Sequence, residues 1–359
     1  MTIDIDLSGA NLDKRPRDPS WIVPGLGIPA GEVRRAVDAL YARIGGPRRK
    51  PGTFTAPLRP WRGVRYFLLA FLIGLLALYL GWLSRDIDLD GTPGWVGFGG
   101  AGLAVAFYLG MRGAVCFRPK AETLIAFDGR PPVIYLRSFR DDEAMVARPV
   151  RLTLEAIRWK YLVNEYTRAG LFRVMFQHGR LRLEQTVEEE LSAIGPFVAI
   201  GEPNERHPDF GATRAYFEGD DAQWRDAVKS WIESAAMVVV VPGATEGLAW
   251  ELAKIQDGGI AHKLVLIFPP ERAANRTKRL SALAAMLKDP HWRDAISTSA
   301  RTDFLAVFST SRGDLVRVYS KTPRVADVEF AAELALYGLF CIDGPAQAGH
   351  YVRASGVRS

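Results

Sequence analysis

The stretch from Ala235 to Lys254, AAMVVVVPGATEGLAWELAK, constrains the fold more than any other part of the chain. Met237 to Val241 are apolar without interruption and end at Pro242 and Gly243. No polar residue alternates with them, so both faces of such a strand must be covered, as happens in parallel sheets. Thr245 then stands where a helix N-cap belongs, and the helix it opens carries Trp250 and Glu251. In open α/β sheets ligands bind where strands end and helices begin. Glu251, with Trp250 beside it, is therefore the position at which chemistry is expected.

Similar runs recur. PVIYL at 132–136, FVAI at 197–200 and LVLIF at 264–268 are short, apolar and bounded by Pro, Gly or charge. FLAVF (304–308) and LVRVY (315–319) flank STSRGD, which reads as a hairpin or as a fifth strand plus an edge. Between these runs lie helical patterns: Leu154, Ile157, Tyr161, Leu162 and Tyr166; TVEEELSAI at 186–194; Trp224, Val228, Trp231 and Ile232; a basic segment from Arg272 to Lys288; and Ala326 to Leu339. Strand alternating with helix predicts a doubly wound parallel sheet with right-handed crossovers over residues 121–340. A polar tail, 341–359, follows. Residues 1–30 are polar and rich in Pro and Gly, and read as loosely attached. Val33, Val37, Leu40, Tyr41 and Ile44 make a short amphipathic helix, either packed on the domain or lying on a membrane surface.

Apolar residues make up 48% of the chain, and the excess has a local source. Tyr66 to Leu83 and Gly94 to Met111 are each 18 residues without a charge. A helix of that length roughly spans a hydrocarbon core of about 30 Å. The small residues of GWVGFGGAGLAVAFYLG suit close packing of the second helix on the first. The sequence thus predicts a transmembrane hairpin over 64–112, preceded by a polar segment and basic linker over 1–63. Arg48, Arg49, Lys50, Arg59, Arg62 and Arg65 precede it, Arg112, Arg118 and Lys120 follow it, and the loop SRDIDLDGTP between is acidic. That bias puts both termini in the cytoplasm and makes membrane lipid the first partner. The net charge of +6 is explained by these flanks, so no nucleic-acid site is expected. Cys116 and Cys341 form neither a disulfide framework nor a metal spacing, and the histidines are scattered, so no metal site is expected.

At the carboxyl end of the PVIYL strand come Arg137, Ser138, Phe139 and Arg140. If this strand neighbours MVVVV, the crevice lies between that loop and the segment Gly243, Thr245, Trp250, Glu251. Arginines there can hold a phosphate bidentately, or can pair with Asp141, Asp142 or Glu143. Phe139 and Trp250 can stack on a base or pack inward. Glu251 can stabilise or attack an oxocarbenium-like centre, the chemistry of breaking a glycosidic bond, or can simply complement the helix dipole.

The order PPVIYLRSFRDDE, GPFVAIGEP, a long loop, AAMVVVVPGATEGLAWELAKI and KLVLIFPP resembles a Toll/interleukin receptor (TIR) domain over roughly residues 130–270. It is also similar to bacterial membrane proteins in which a TIR-like domain follows a transmembrane pair. The resemblance implies a flavodoxin-like sheet of five parallel strands, an inner-membrane location, and a 201–217 loop used for self-association. It further implies cleavage of NAD, as substrate rather than cofactor, at the nicotinamide bond by Glu251, in signalling or defence. Nucleoside deoxyribosyltransferases are a more distant likeness. Catalytic TIR domains carry a Trp one helical turn before the Glu, whereas Trp250 is adjacent to Glu251, and the 144–187 connection is longer than usual. The alternative implied by the same family is a non-enzymatic module that binds a nucleotide or another TIR domain.

Overall fold

The computed structural model describes residues 1–8, 20–44, 60–84, 88–89, 92–117, 119–137, 145–147, 180–201, 212–215, 221–271, 273–297, 299, 301–321 and 323–342. In chain order the first elements are strand β1 (Thr2–Asp6), helix α1 (Ala30–Ile44) and the apolar helix α2 (Pro60–Leu83). A two-strand ribbon, β2 (Asp88–Leu89) and β3 (Thr92–Pro93), leads to helix α3 (Gly94–Cys116). Helix α4 (Ala121–Asp128) precedes β4 (Val133–Arg137), and β5 (Met145–Ala147) pairs antiparallel with β6 (Arg180–Arg182). Then come α5 (Leu183–Leu191), β7 (Phe197–Ile200), β8 (Thr213–Ala215), α6 (Asp221–Ser234), β9 (Met237–Val241) and α7 (Glu246–Asp257). The chain continues with β10 (Leu264–Ile267), α8 (Ala273–Met286), α9 (Pro290–Ser297), β11 (Phe304–Ser309), β12 (Leu315–Tyr319) and α10 (Val325–Phe340).

Eight strands form one sheet in the order β1-β12-β11-β10-β9-β4-β7-β8. Every neighbouring pair is parallel except those made by β11, which runs against both β10 and β12. The sheet is therefore mixed, where the strand-helix rhythm predicted a parallel one, and of the two readings of FLAVF and LVRVY around STSRGD the hairpin holds. The cause is local. Thr310 N–H donates to the Asp314 carbonyl at 2.8 Å and Gly313 N–H to the Thr310 carbonyl at 2.9 Å, closing a turn short enough to join only antiparallel strands.

All five residues of β4 and all five of β9 are buried, as their unbroken apolar runs require. One apolar layer gathers Val133, Tyr135, Val239 and Phe308 with α1, α5 and α10. The other gathers Ile134, Leu136, Val238 and Leu266 with α6, α7, α8 and α9. The connection from β4 to β7 runs through α5 on the first face, whereas that from β9 to β10 runs through α7 on the second. The crossovers leave adjacent strands β4 and β9 toward opposite faces, and open α/β sheets bind ligands beyond the carboxyl ends of strands that part in this way.

The amino terminus departs from expectation. Thr2–Asp6 is not loosely attached but is the parallel edge strand beside β12, with Ile5 and Leu7 fully buried. Asp4 takes a bidentate contact from Arg317, at 2.6 and 2.8 Å, and Asp6 pairs with Arg301. Val23 in the following segment is buried, and Gly25 (φ 81°) lies so close to β1 that a Cβ there would stand 2.6 Å from the Asp4 carbonyl oxygen. Helix α1 takes the packed alternative: Val33, Val37 and Leu40 are buried against the α10 layer and Arg34 pairs with Glu333 at 3.1 Å.

Helices α2 and α3 lie along each other, Gly102 meeting Ala77 so closely that a Cβ on Gly102 would stand 2.5 Å from the Ala77 methyl. Among the described residues, α2 is the one helix long and apolar enough to cross a membrane by length and composition. Its outer side, including Leu68, Phe71, Leu72 and Trp82, is exposed.

Candidate functional site

Glu251 is the sixth residue of α7, so it lies in the second turn, and the first-turn acid that complements the dipole is the exposed Glu246. Helical spacing puts Glu251 on the inward face with Leu248, Leu252 and Ile255, and its side chain is only 5% exposed. Helix α7 packs against β4 as well as α6 and α8. No hydrogen bond or ion pair engages the Glu251 carboxyl among the described residues. Burial pushes its pKa up to about 8, and the Arg137 guanidinium pulls in the opposite direction.

Arg137 closes β4 opposite Val241 of β9, at the carboxyl end of the sheet, and is 9% exposed. Its Nε lies 3.5 Å from Glu184 Oε2, its Nη1 donates to the Ile200 carbonyl at 3.3 Å, and its guanidinium carbon stands 5.9 Å from the Tyr135 ring centroid. The expected alternatives for its partner were a phosphate or the acids that follow it in sequence. Among the described residues a carboxylate that it meets is Glu184, at the start of α5, while Asp141, Asp142 and Glu143 lie outside the described residues.

Glu184 also accepts from the Ala212 backbone N–H at 2.8 Å and from Arg214 Nη2 at 2.9 Å, while Arg214 Nη1 lies 2.8 Å from its other oxygen. Burial alone would raise the Glu184 pKa. The charges of Arg214 and Arg137, with the hydrogen bonds from Arg214 and Ala212, outweigh that cost and hold it below the ordinary value. Neither Glu184 nor Arg214 (2% exposed) stands in a motif. Their pairing joins α5 to β8 across a separation that residue spacing does not reveal. Strand β8 itself lies within the segment 201–217 that reads as a loop.

Trp250 turns toward α6 rather than sharing the inward face with Glu251. Its ring sits 5.1 Å from Trp224, with Arg225 and Lys254 at 5.6 and 5.8 Å over it. Gly243 is buried in the turn after β9, and Thr245 occupies the N-cap position without a capping bond from its side chain. Ser138, Phe139 and Arg140 lie outside the described residues, as do the helix expected at 154–166 and residues 202–211 and 216–217 of the long loop. In α8, within the basic segment read from Arg272 to Lys288, Arg276 is buried and Arg279 turns inward. Arg279 pairs with Glu271 at 2.7 Å and donates to the Pro242 carbonyl, tying the exits of β9 and β10 together. No group of three or more His, Cys, Asp or Glu side chains suited to a metal occurs among the described residues.

Glu251 thus lies buried on α7 over one face of the sheet, while the Arg137 guanidinium turns to the other face, toward Glu184 and Tyr135. A carboxyl so placed exchanges a proton near neutrality and, once ionised, strongly favours a cationic centre in a medium of low dielectric. Compared with protein family models, curated proteins and solved structures, the chain matches none.

Proposed function

We propose that the chain is a membrane-anchored, TIR-like protein with a flavodoxin-like core that hydrolyses the nicotinamide glycosidic bond of NAD or a related nucleotide in signalling or defence. The observation that carries this reading is Glu251, buried on α7 against β4 with no hydrogen bond or ion pair among the described residues. The strand order β7-β4-β9-β10 supports the flavodoxin-like assignment. Helix α2, paired with α3, supports an anchor that crosses the inner membrane twice with both termini in the cytoplasm.

In the proposed reaction the bond between the ribosyl carbon and the ring nitrogen breaks, and the nitrogen keeps the electron pair. Nicotinamide leaves neutral, and the positive charge it carried passes to the ribosyl centre. Glu251, ionised, faces that centre, water adds to it, and the proton of the water is released. The cationic ring of the substrate favours the ionised carboxylate, so binding draws a proton off Glu251. In this reading Arg137, at the carboxyl end of β4, meets the phosphates.

The full chain in lipid, crowded to favour self-association through the 201–217 loop, is expected to release nicotinamide from NAD, and Glu251→Gln is expected to abolish the release. Equal release from both proteins, or none from either, overturns the proposal. A second reading, drawn from the long 201–217 loop and the arginines, is an interaction module that binds a nucleotide or another TIR domain without turnover; in it Trp250 packs within the fold, its ring occupied by Trp224, Arg225 and Lys254. Turnover separates the two readings.

A further inference from the structure

At the carboxyl end of the β9–β10 pair a buried guanidinium sits without a counter-charge among the described residues. Strand β10 runs through Phe268 into Pro269 and Pro270, and α8 begins just beyond them at Ala273. Arg276, the fourth residue of this 14-residue helix, is 7% exposed. Its Nη2 donates to the Glu271 carbonyl at 3.3 Å, a long bond that directs the guanidinium back toward the start of the helix. Its Nε is buried and meets no hydrogen-bond partner among the described residues, and no ion pair neutralises the side chain there. The carboxylate of Glu271 is already engaged, since Arg279 Nε and Nη2 hold its two oxygens at 2.7 and 3.2 Å.

A cation buried with an unmet donor weakens a fold, because the water it gave up is not replaced. Arg279 escapes that cost by pairing, and Arg276 does not. The surroundings of Arg276 suit an anion. The first turn of a helix presents N–H groups that no helical carbonyl can reach, and the helix dipole adds positive potential at that end. Among the described residues no capping bond engages the N–H of Ala273, Ala274 or Asn275. Arg279 also donates to the Pro242 carbonyl after β9, so the start of α8 borders the exits of two parallel strands, where open α/β sheets take their ligands.

We propose that the amino end of α8 and the Arg276 guanidinium form a binding site for a phosphate group. Arg276 supplies the charge and the Nε–H, the amides of the first turn supply further donors, and the Arg279–Glu271 pair fixes the approach to the helix. A phosphate suits this set better than a carboxylate, because its oxygens can meet a guanidinium edge and backbone amides together. A soluble phosphate compound and a phospholipid headgroup share that chemistry. The site stands apart from the reaction assigned to Glu251, and its test needs no turnover.

The test is phosphorus magnetic resonance on the full chain in a phosphorus-free maltoside detergent. The orthophosphate line is expected to broaden saturably, and Arg276→Gln is expected to weaken the binding by about tenfold or more. Lys278→Gln removes an exposed charge from the same helix and is expected to change the binding by less than about twofold. No broadening with the parent chain overturns the proposal. So does an equal loss in Lys278→Gln, which marks diffuse attraction to a basic surface. If Arg276→Gln fails to fold, Ala274→Asp decides. Ala274 is exposed in the first turn, where a carboxylate strengthens a helix while repelling a bound anion. That variant is expected to abolish the saturable broadening, and binding as tight as the parent's overturns the proposal. Glycerophosphoglycerol, a diester like a lipid headgroup, is titrated beside orthophosphate. Tighter binding of the diester assigns the site to a headgroup, and tighter binding of orthophosphate to a soluble phosphate compound; either upholds the site.

Discussion

Glu251 and Glu184 are both buried, but their surroundings drive them in opposite directions. Glu184 gathers two arginines and a backbone donor, while Glu251 has the distant pull of Arg137 alone among the described residues. Because the folded pKa of Glu251, about 8, exceeds its ordinary value of 4.5, the fold prefers the protonated form. Its contribution to stability is fully present below 4.5 and is lost as pH rises through about 8. Glu190, raised to about 8 chiefly by burial and then by Glu333 and Glu329, acts in the same sense. Denaturant unfolding across that window is therefore expected to show falling stability, and Glu251→Gln is expected to flatten the fall. An identical slope in the variant contradicts the assignment. Arg214→Ala leaves Glu184, among the described residues, with Arg137 as its remaining cation in the interior, and such a loss costs about 3 kcal/mol or more, read as a lowered unfolding midpoint.

At the level of elements, β4, β9 and β10 were legible because burial on both faces leaves unbroken apolar runs. Strand β1 carried a signal too: Ile3, Ile5 and Leu7 alternate with Asp4 and Asp6, the period of a strand with one covered face. Its Pro- and Gly-rich sequel obscured that period. Strand β8, three residues long, has too little length for any period to register. The direction of β11 depends on a turn, and the turn depends on backbone hydrogen bonds that residue types only hint at. Glu251 was legible as a helix residue near a strand end, but the commitment of Trp250 to Trp224 depends on how α6 and α7 meet. The segment around Gly25 covers the outer edge of β1, and that edge would otherwise offer unpaired backbone groups. Gly25→Val adds a side chain against the Asp4 carbonyl at a φ of 81° that valine resists. It is expected to cost about 1–3 kcal/mol and to speed amide exchange in β1 before the rest of the sheet. Unaltered exchange in β1 would show that the cover is dispensable.

For the whole molecule, the proposed anchor and the α/β domain make different demands on the same chain. The domain must bury its apolar strands, which it does with helices on both faces, while α2 leaves Leu68, Phe71, Leu72 and Leu78 uncovered. An exposed stripe of that kind is what the proposed anchor needs, and its length is that of a lipid span. The small-residue contact of Gly102 with Ala77 lets α3 approach α2 closely, a mode of packing suited to lipid. Basic residues lie on both outer flanks and acidic ones in the connection, so the β2–β3 ribbon is expected on the side opposite the sheet. In a chain whose own Cys116 and Cys341 are replaced by serine, Leu89→Cys is expected to react with a membrane-impermeant maleimide in intact spheroplasts. Lys288→Cys, whose parent side chain is 57% exposed on the domain, is expected to react only after permeabilisation. Labelling of Lys288→Cys in intact spheroplasts would place the crevice outside the cell, away from cytoplasmic nucleotides, and would remove the proposed substrate together with the proposed topology.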